Sequence, residues 1–202
     1  MHVVALDVCD GAAVAALPAA LPPAFADVSI LVNNAGLALG TATCDALEPA
    51  DAAAMISTNV QAVVNFTRAF VPAMRARDAG HVVNVSSVAA HEAYAGGSVY
   101  CATKAAVDAL TKAARHDLLA TKVRVSAVSP GAVETEFSVV RFGGDRAAAA
   151  AVYAGMVPLT AADVAEDVAY ILTRPAHVQI AEVVSFATYQ SGAKAIARPL
   201  AA

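Results

Sequence analysis

The run Tyr100-Cys101-Ala102-Thr103-Lys104 sets a phenol and an ammonium at positions i and i+4. On a helix these share one face. A phenol is a weak acid, with a reference pKa of about 10. A neighbouring ammonium favours its ionised form, which suits the pair to exchange a proton near neutral pH. Thirteen residues before Tyr100 stands Ser87, at the end of an expected strand. Its hydroxyl can hold the oxygen that Tyr100 protonates, and Ser86 beside it competes for that role. Asn59 falls inside a long expected helix, where Asn is a poor interior residue. It reads either as a local kink or as a buried amide that holds a proton-relaying water for Lys104. Taken alone, the Tyr-x-x-x-Lys spacing also fits a surface Tyr beside a snorkelling Lys.

The elements that must position these groups alternate between strand and helix. Val3-Val4-Ala5-Leu6 reads as a short strand, and Asp7-Val8-Cys9-Asp10 as a turn that starts a helix. An alanine-rich helix over 12–21 is closed by Pro22-Pro23. Ser29-Ile30-Leu31-Val32 is the next strand, bounded by Asn33-Asn34-Ala35-Gly36. Residues 48–77 read as one long helix, kinked or interrupted near Pro72, with Met55, Val60, Val63, Val64, Phe66 and Phe70 at helical spacing. Residues 81–85 and 123–128 read as strands, the second stopped by Pro130-Gly131. Helices are expected over 98–120, 145–153 and 161–172, and a last strand over 178–186. Apolar strands separated by helices imply one α/β domain over 1–202, with a parallel sheet covered on both faces.

Composition narrows the class. The chain has 202 residues, 58% hydrophobic and 15% charged, so burial can offset chain entropy and disorder is excluded. Its 13 Lys+Arg against 17 Asp+Glu give a net charge of −4, with no basic patch to suit a nucleic acid. Cys9, Cys44 and Cys101 are widely spaced, so neither a metal site nor a disulfide frame is expected. A reducing cytoplasm fits them best. No apolar run reaches membrane-spanning length, and Met1 to Asp10 lacks a signal-peptide layout.

Asn33-Asn34-Ala35-Gly36, Asn59, Ser87, Tyr100 with Lys104, and Pro130-Gly131 with Thr135 together resemble the short-chain dehydrogenase/reductase family, in order and spacing. The resemblance covers the whole chain. Within the family the chain is most similar to the NADP-dependent 3-hydroxy acid dehydrogenases, the group that includes serine 3-dehydrogenase. That closer likeness rests on Leu31 through Gly40, Tyr94-Ala95-Gly96-Gly97, Thr135-Glu136-Phe137-Ser138, Val140-Arg141-Phe142 and Arg174-Pro175-Ala176-His177-Val178.

The resemblance implies a Rossmann-like doubly wound sheet and an oxidoreductase exchanging a hydride between NADP(H) and a small 3-hydroxy or 3-oxo acid. NAD is the alternative cofactor. Tyr100 is then the general acid/base and Ser87 orients the substrate oxygen. Lys104 binds the nicotinamide ribose and lowers the Tyr100 pKa, and Asn59 supports the proton relay. Asp7 and Val8 meet the adenine end of the cofactor, and Asn34 its ribose side, in the loop of Ala35 and Gly36. Pro130, Gly131, Val133 and Thr135 line the nicotinamide. Arg141 is the candidate for holding the substrate carboxylate through a bidentate contact. Each cofactor contact has a plainer reading: Asp7 as a helix cap, Pro130-Gly131 as a turn, Asn33 as a structural residue. The family also suggests a homodimer or homotetramer built on the two long helices.

No glycine-rich strand–turn–helix unit precedes Asp7. Against the family pattern, the chain is expected to start before the third strand and to lack the first two, through a misplaced start or a true truncation. Such a chain is expected to be poorly soluble and to bind NADP(H) weakly. The alternatives are a non-catalytic fragment or a ketoreductase for another alcohol.

Overall fold

The computed structural model describes residues 1–200. Four parallel strands form one sheet in the order β1 (Ile30–Asn33), β2 (Gly80–Val85), β3 (Val123–Pro130) and β4 (Glu182–Ser185). Register is set by pairs such as Val32 with Val83, Val83 with Ser126, and Val128 with Val183. Parallel neighbours need long crossovers, which the helices supply.

Helix α1 (Gly11–Ala20) starts at Asp10, whose carboxylate accepts the N–H groups of Ala12 and Ala13. Helices α2 (Pro49–Ile56) and α3 (Ala62–Ala76) are joined by a wide π turn at Ser57–Gln61. Helix α4 (Ser98–Asp117) follows β2, and α5 (Glu136–Arg141), α6 (Arg146–Tyr153) and α7 (Ala161–Leu172) follow β3. Thr160 and Asp163 form a reciprocal capping box at the start of α7.

Alternation along the strands splits the core between two faces. Leu31, Val82, Val123 and Val125 pack against Phe70, Val71 and Met74 of α3. Val83 and Val128 point the other way, onto Ile171 of α7. Each fully buried side chain of this size contributes about 1.5–3 kcal/mol. Helices therefore cover both faces, as the doubly wound expectation requires.

Two expectations are corrected. Residues 3–6 form no strand, because no neighbouring strand offers them backbone partners; Val3 and Val4 are exposed. The irregularity of the long helix sits at Asn59, not at Pro72: α3 runs through Pro72, while the Ala62 N–H reaches back five residues to the Ser57 carbonyl. The last strand is also shorter than expected, confined to Glu182–Ser185. The outer edge of β1 has no partner among the described residues, and Ile30 and Val32 are exposed there.

Candidate active site

The site lies at the carboxyl ends of the strands, where open parallel sheets bind ligands. Strand β2 delivers Ser86 and Ser87 just past its last residue. The Ser86 Oγ turns inward and donates to the Lys104 carbonyl at 3.4 Å. The Ser87 Oγ accepts the Ala89 N–H at 3.1 Å and lines the open cleft. Ser87, not Ser86, therefore lines the cleft.

Tyr100 sits in the first turn of α4, buried and tilted against Phe137 with ring centroids 5.6 Å apart. Burial pushes its phenol above the ordinary tyrosine range. The Ser87 hydroxyl beside it opposes that shift, and so does the Arg141 guanidinium, 5.8 Å from the ring centroid. Lys104 follows one turn later, and its buried Nζ donates to the Val85 carbonyl at 2.9 Å. Burial pushes Lys104 down to about 8, with Asp108 opposing. Lys104 Nζ, 6.0 Å from the Tyr100 ring centroid, turns toward Val85, and the groups that counter burial at the phenol are Ser87 and Arg141.

Asn59 is 1% exposed, and its amide is committed. The Oδ1 accepts the Leu37 N–H at 2.8 Å, while Nδ2 donates to the Leu37 carbonyl at 2.8 Å and to Thr103 Oγ1 at 3.0 Å. Both amide hydrogens are spent on the protein, so the side chain positions the loop of Leu37. Gly36 lies between the two: a Cβ there would meet Asn59 Oδ1 at 3.3 Å and Lys104 Nζ at 3.4 Å. Asn33 is structural, donating to Asn84 Oδ1 at 2.8 Å, with Asn84 in turn donating to Thr111.

Val8, Asn34 and Ala35 line one hollow with Leu31 and Val63. Asp7 precedes it and accepts the Cys9 N–H at 2.9 Å, while the helix cap is Asp10. Past β3, Gly131 and Val133 line the cleft that holds Ser87 and Tyr100. Pro130 ends β3, and Thr135 caps α5 by accepting the Phe137 N–H at 3.2 Å. Of the sequence-derived residues, Ser87, Tyr100, Gly131, Val133 and Arg141 thus line one depression and Val8, Asn34 and Ala35 another, while Asp7, Gly36, Asn59, Lys104, Pro130 and Thr135 line neither.

Arg141 reaches the cleft but is heavily engaged. Its Nε donates to the Gly40 carbonyl at 3.2 Å, one terminal nitrogen to Tyr94 Oη at 2.9 Å and the other to the Gly96 carbonyl at 3.2 Å. Three of its five N–H donors are therefore committed to the protein. Sequence reading missed Gln190, Tyr153 and Lys194, which line the same cleft. Gln190 Oε1 accepts the Ala132 N–H at 2.8 Å, and Tyr153 Oη donates to the Val133 carbonyl at 2.7 Å. None of the three carries a local signal in the sequence.

The arrangement fits a dinucleotide laid across the strand ends. A glycine stands where a Cβ would crowd Lys104, and a deeply buried ammonium meets only one acceptor. The family profile described as short chain dehydrogenase matches residues 1–142. The chain belongs to that family. It is 45% identical over 193 residues to the NADP-dependent 3-hydroxy acid dehydrogenase of Schizosaccharomyces pombe, covering 96% of this chain and 74% of that one. It is 46% identical over 179 residues to a sulfoacetaldehyde reductase of Chromohalobacter salexigens, covering 88% and 71%. Among solved structures, the closed form of serine dehydrogenase complexed with NADP+ superposes with a TM-score of 0.93 at 43% identity, covering 94% of this chain and 77% of that one. Among the described residues, no helix is long and apolar enough to cross a membrane.

Proposed function

We propose that this chain interconverts a small 3-hydroxy acid and its 3-oxo acid with NADP(H). The observation that carries the reading is the meeting of Ser87, Tyr100 and cationic side chains in one cleft of about 220 Å³. The likeness to an NADP-dependent 3-hydroxy acid dehydrogenase and to a serine dehydrogenase complexed with NADP+ supports both the acid and the cofactor.

Bound NADP(H) supplies or accepts the hydride. Asp7 and Val8 would hold its adenine end, Asn34 with Ala35 its ribose side, Gly36 and Lys104 the nicotinamide ribose, and Gly131, Val133 and Thr135 the nicotinamide. Ser87 Oγ holds the substrate oxygen. Tyr100 Oη gives its proton to that oxygen in reduction and takes it back in oxidation. Arg141 limits the rise that burial imposes on the phenol, and Asn59 fixes the loop of Leu37 over the site.

The three cysteines are free, consistent with a reducing compartment. The apolar groove between α3 and α4, lined by Val64, Leu110 and Ala113, supports a homo-oligomer joined there.

The test is a substrate panel with NADP+ and NAD+: 3-hydroxypropanoate, L-serine, 2-hydroxypropanoate and 1-propanol. The proposal expects NADP+-dependent turnover strongest with the 3-hydroxy acids. Equal or better turnover of 1-propanol would assign a neutral alcohol instead.

A further inference from the structure

Three cations line the cleft beside Ser87 and Tyr100, namely Arg141, Lys194 and Arg198, and no acidic side chain lines it with them. Two of the three are spent on the protein. Arg141 holds Gly40, Tyr94 and Gly96. Arg198 donates to the Ala154 carbonyl and, at 3.1 Å, to the Val152 carbonyl. Lys194 differs: among the described residues its ammonium has no hydrogen-bond or ion-pair partner, and it rests 4.7 Å over the Tyr94 ring.

Lys194 is also held in place. It stands in a tight turn closed by the Gln190–Ile196 bridge and by the Ser191 N–H to the Ala195 carbonyl at 2.9 Å. The preceding residue, Ala193, donates its N–H to Glu92 Oε2 at 2.9 Å, which braces the turn and occupies that carboxylate. Tyr94 joins the two cations: Arg141 hydrogen-bonds its hydroxyl and Lys194 covers its ring.

Building on the function proposed above, we infer that Lys194 is the specificity residue that takes the anionic head group of the substrate, while Arg141 positions Tyr94 and the loop beneath it. A carboxylate or sulfonate bound there answers two charges at once. Partial burial, with Arg141 adding, holds the Lys194 ammonium below its ordinary range, and a bound anion offsets both. The alternative, a solvated lysine resting on a ring, predicts no selectivity between charged and neutral substrates.

The experiment is an NMR titration of the full chain with 3-hydroxypropanoate, 2-hydroxyethanesulfonate and the neutral methyl 3-hydroxypropanoate. It is run on the wild type, Lys194→Met and Lys194→Arg, with NADP+-dependent turnover measured in parallel. The wild type should bind the acids about tenfold or more tightly than the ester. Lys194→Met should erase that preference without weakening the ester, and Lys194→Arg should keep it. The ranking of the two acids identifies the head group. A wild type without the preference, or a Lys194→Met chain that retains it, overturns the inference. Lys194-dependent anion binding without turnover would instead defeat the proposed activity and leave the inference standing.

Discussion

Asn59 grips the backbone of Leu37 at both its polar groups, accepting the N–H and donating to the carbonyl, each at 2.8 Å. The π turn makes this possible by setting an amide into the interior, where it also reaches Thr103 on α4. One residue thereby ties the loop after β1 to α4.

Asn59→Ala should therefore leave the two backbone groups of Leu37 without partners and the Thr103 hydroxyl with only its bond to the Tyr100 carbonyl. The expected loss is about 2–4 kcal/mol in denaturant unfolding. Asn59→Asp keeps the acceptor and loses the donors, so it should fall between the wild type and the alanine variant. Equal stability of all three chains would show that Leu37 is held by something else.

Gly131 and Gln190 are coupled by space. A Cβ at Gly131 would lie 2.2 Å from Gln190 Oε1, which also accepts the Ala132 N–H. Gly131→Ala should destabilise by about 1–3 kcal/mol. In a Gln190→Ala background, where the clash is gone, most of that cost should vanish, and a double-mutant cycle measures the difference. Simple additivity would contradict the contact.

Acid stability should depend on His81. Its Nε2 donates to Ser126 Oγ at 2.8 Å, since that hydroxyl is itself donating to the Ile180 carbonyl, and its Nδ1 is buried without a partner. Burial, with Arg124 adding, pushes His81 from 6.5 to about 4. Between those values the unfolded chain binds a proton that the folded chain refuses, so stability falls as pH falls from 6.5 through 4. The loss approaches about 3 kcal/mol. Comparing unfolding at pH 7 and pH 4.5, the wild type should lose roughly 2 kcal/mol more than His81→Gln. Parallel losses would remove His81 from the account.

Much of this architecture is legible because it is local. Helix α7 announces itself through Thr160, Asp163 and an apolar stripe, and the Tyr100/Lys104 pair lies on a single turn. Ser87 could be picked from Ser86 only in three dimensions, since a neighbouring helix carbonyl claims one hydroxyl. Val3–Leu6 reads as a strand because it is apolar, yet pairing is decided by a partner elsewhere. Pro72 looked like the break because it lacks an N–H, whereas packing preserves the helix there and the buried Asn59 amide marks the irregularity. The partners of Arg141 and the place of Gln190 are not legible in sequence, because their contacts lie 45–101 and 58 residues away.

The most direct test of the central claim is NADPH formation from 3-hydroxypropanoate by the wild type and by Tyr100→Phe, at the same high NADP+ concentration. The account predicts turnover in the wild type and a loss of about 100-fold or more in the variant, because the phenol is the proton carrier. Turnover that survives Tyr100→Phe unchanged would contradict it.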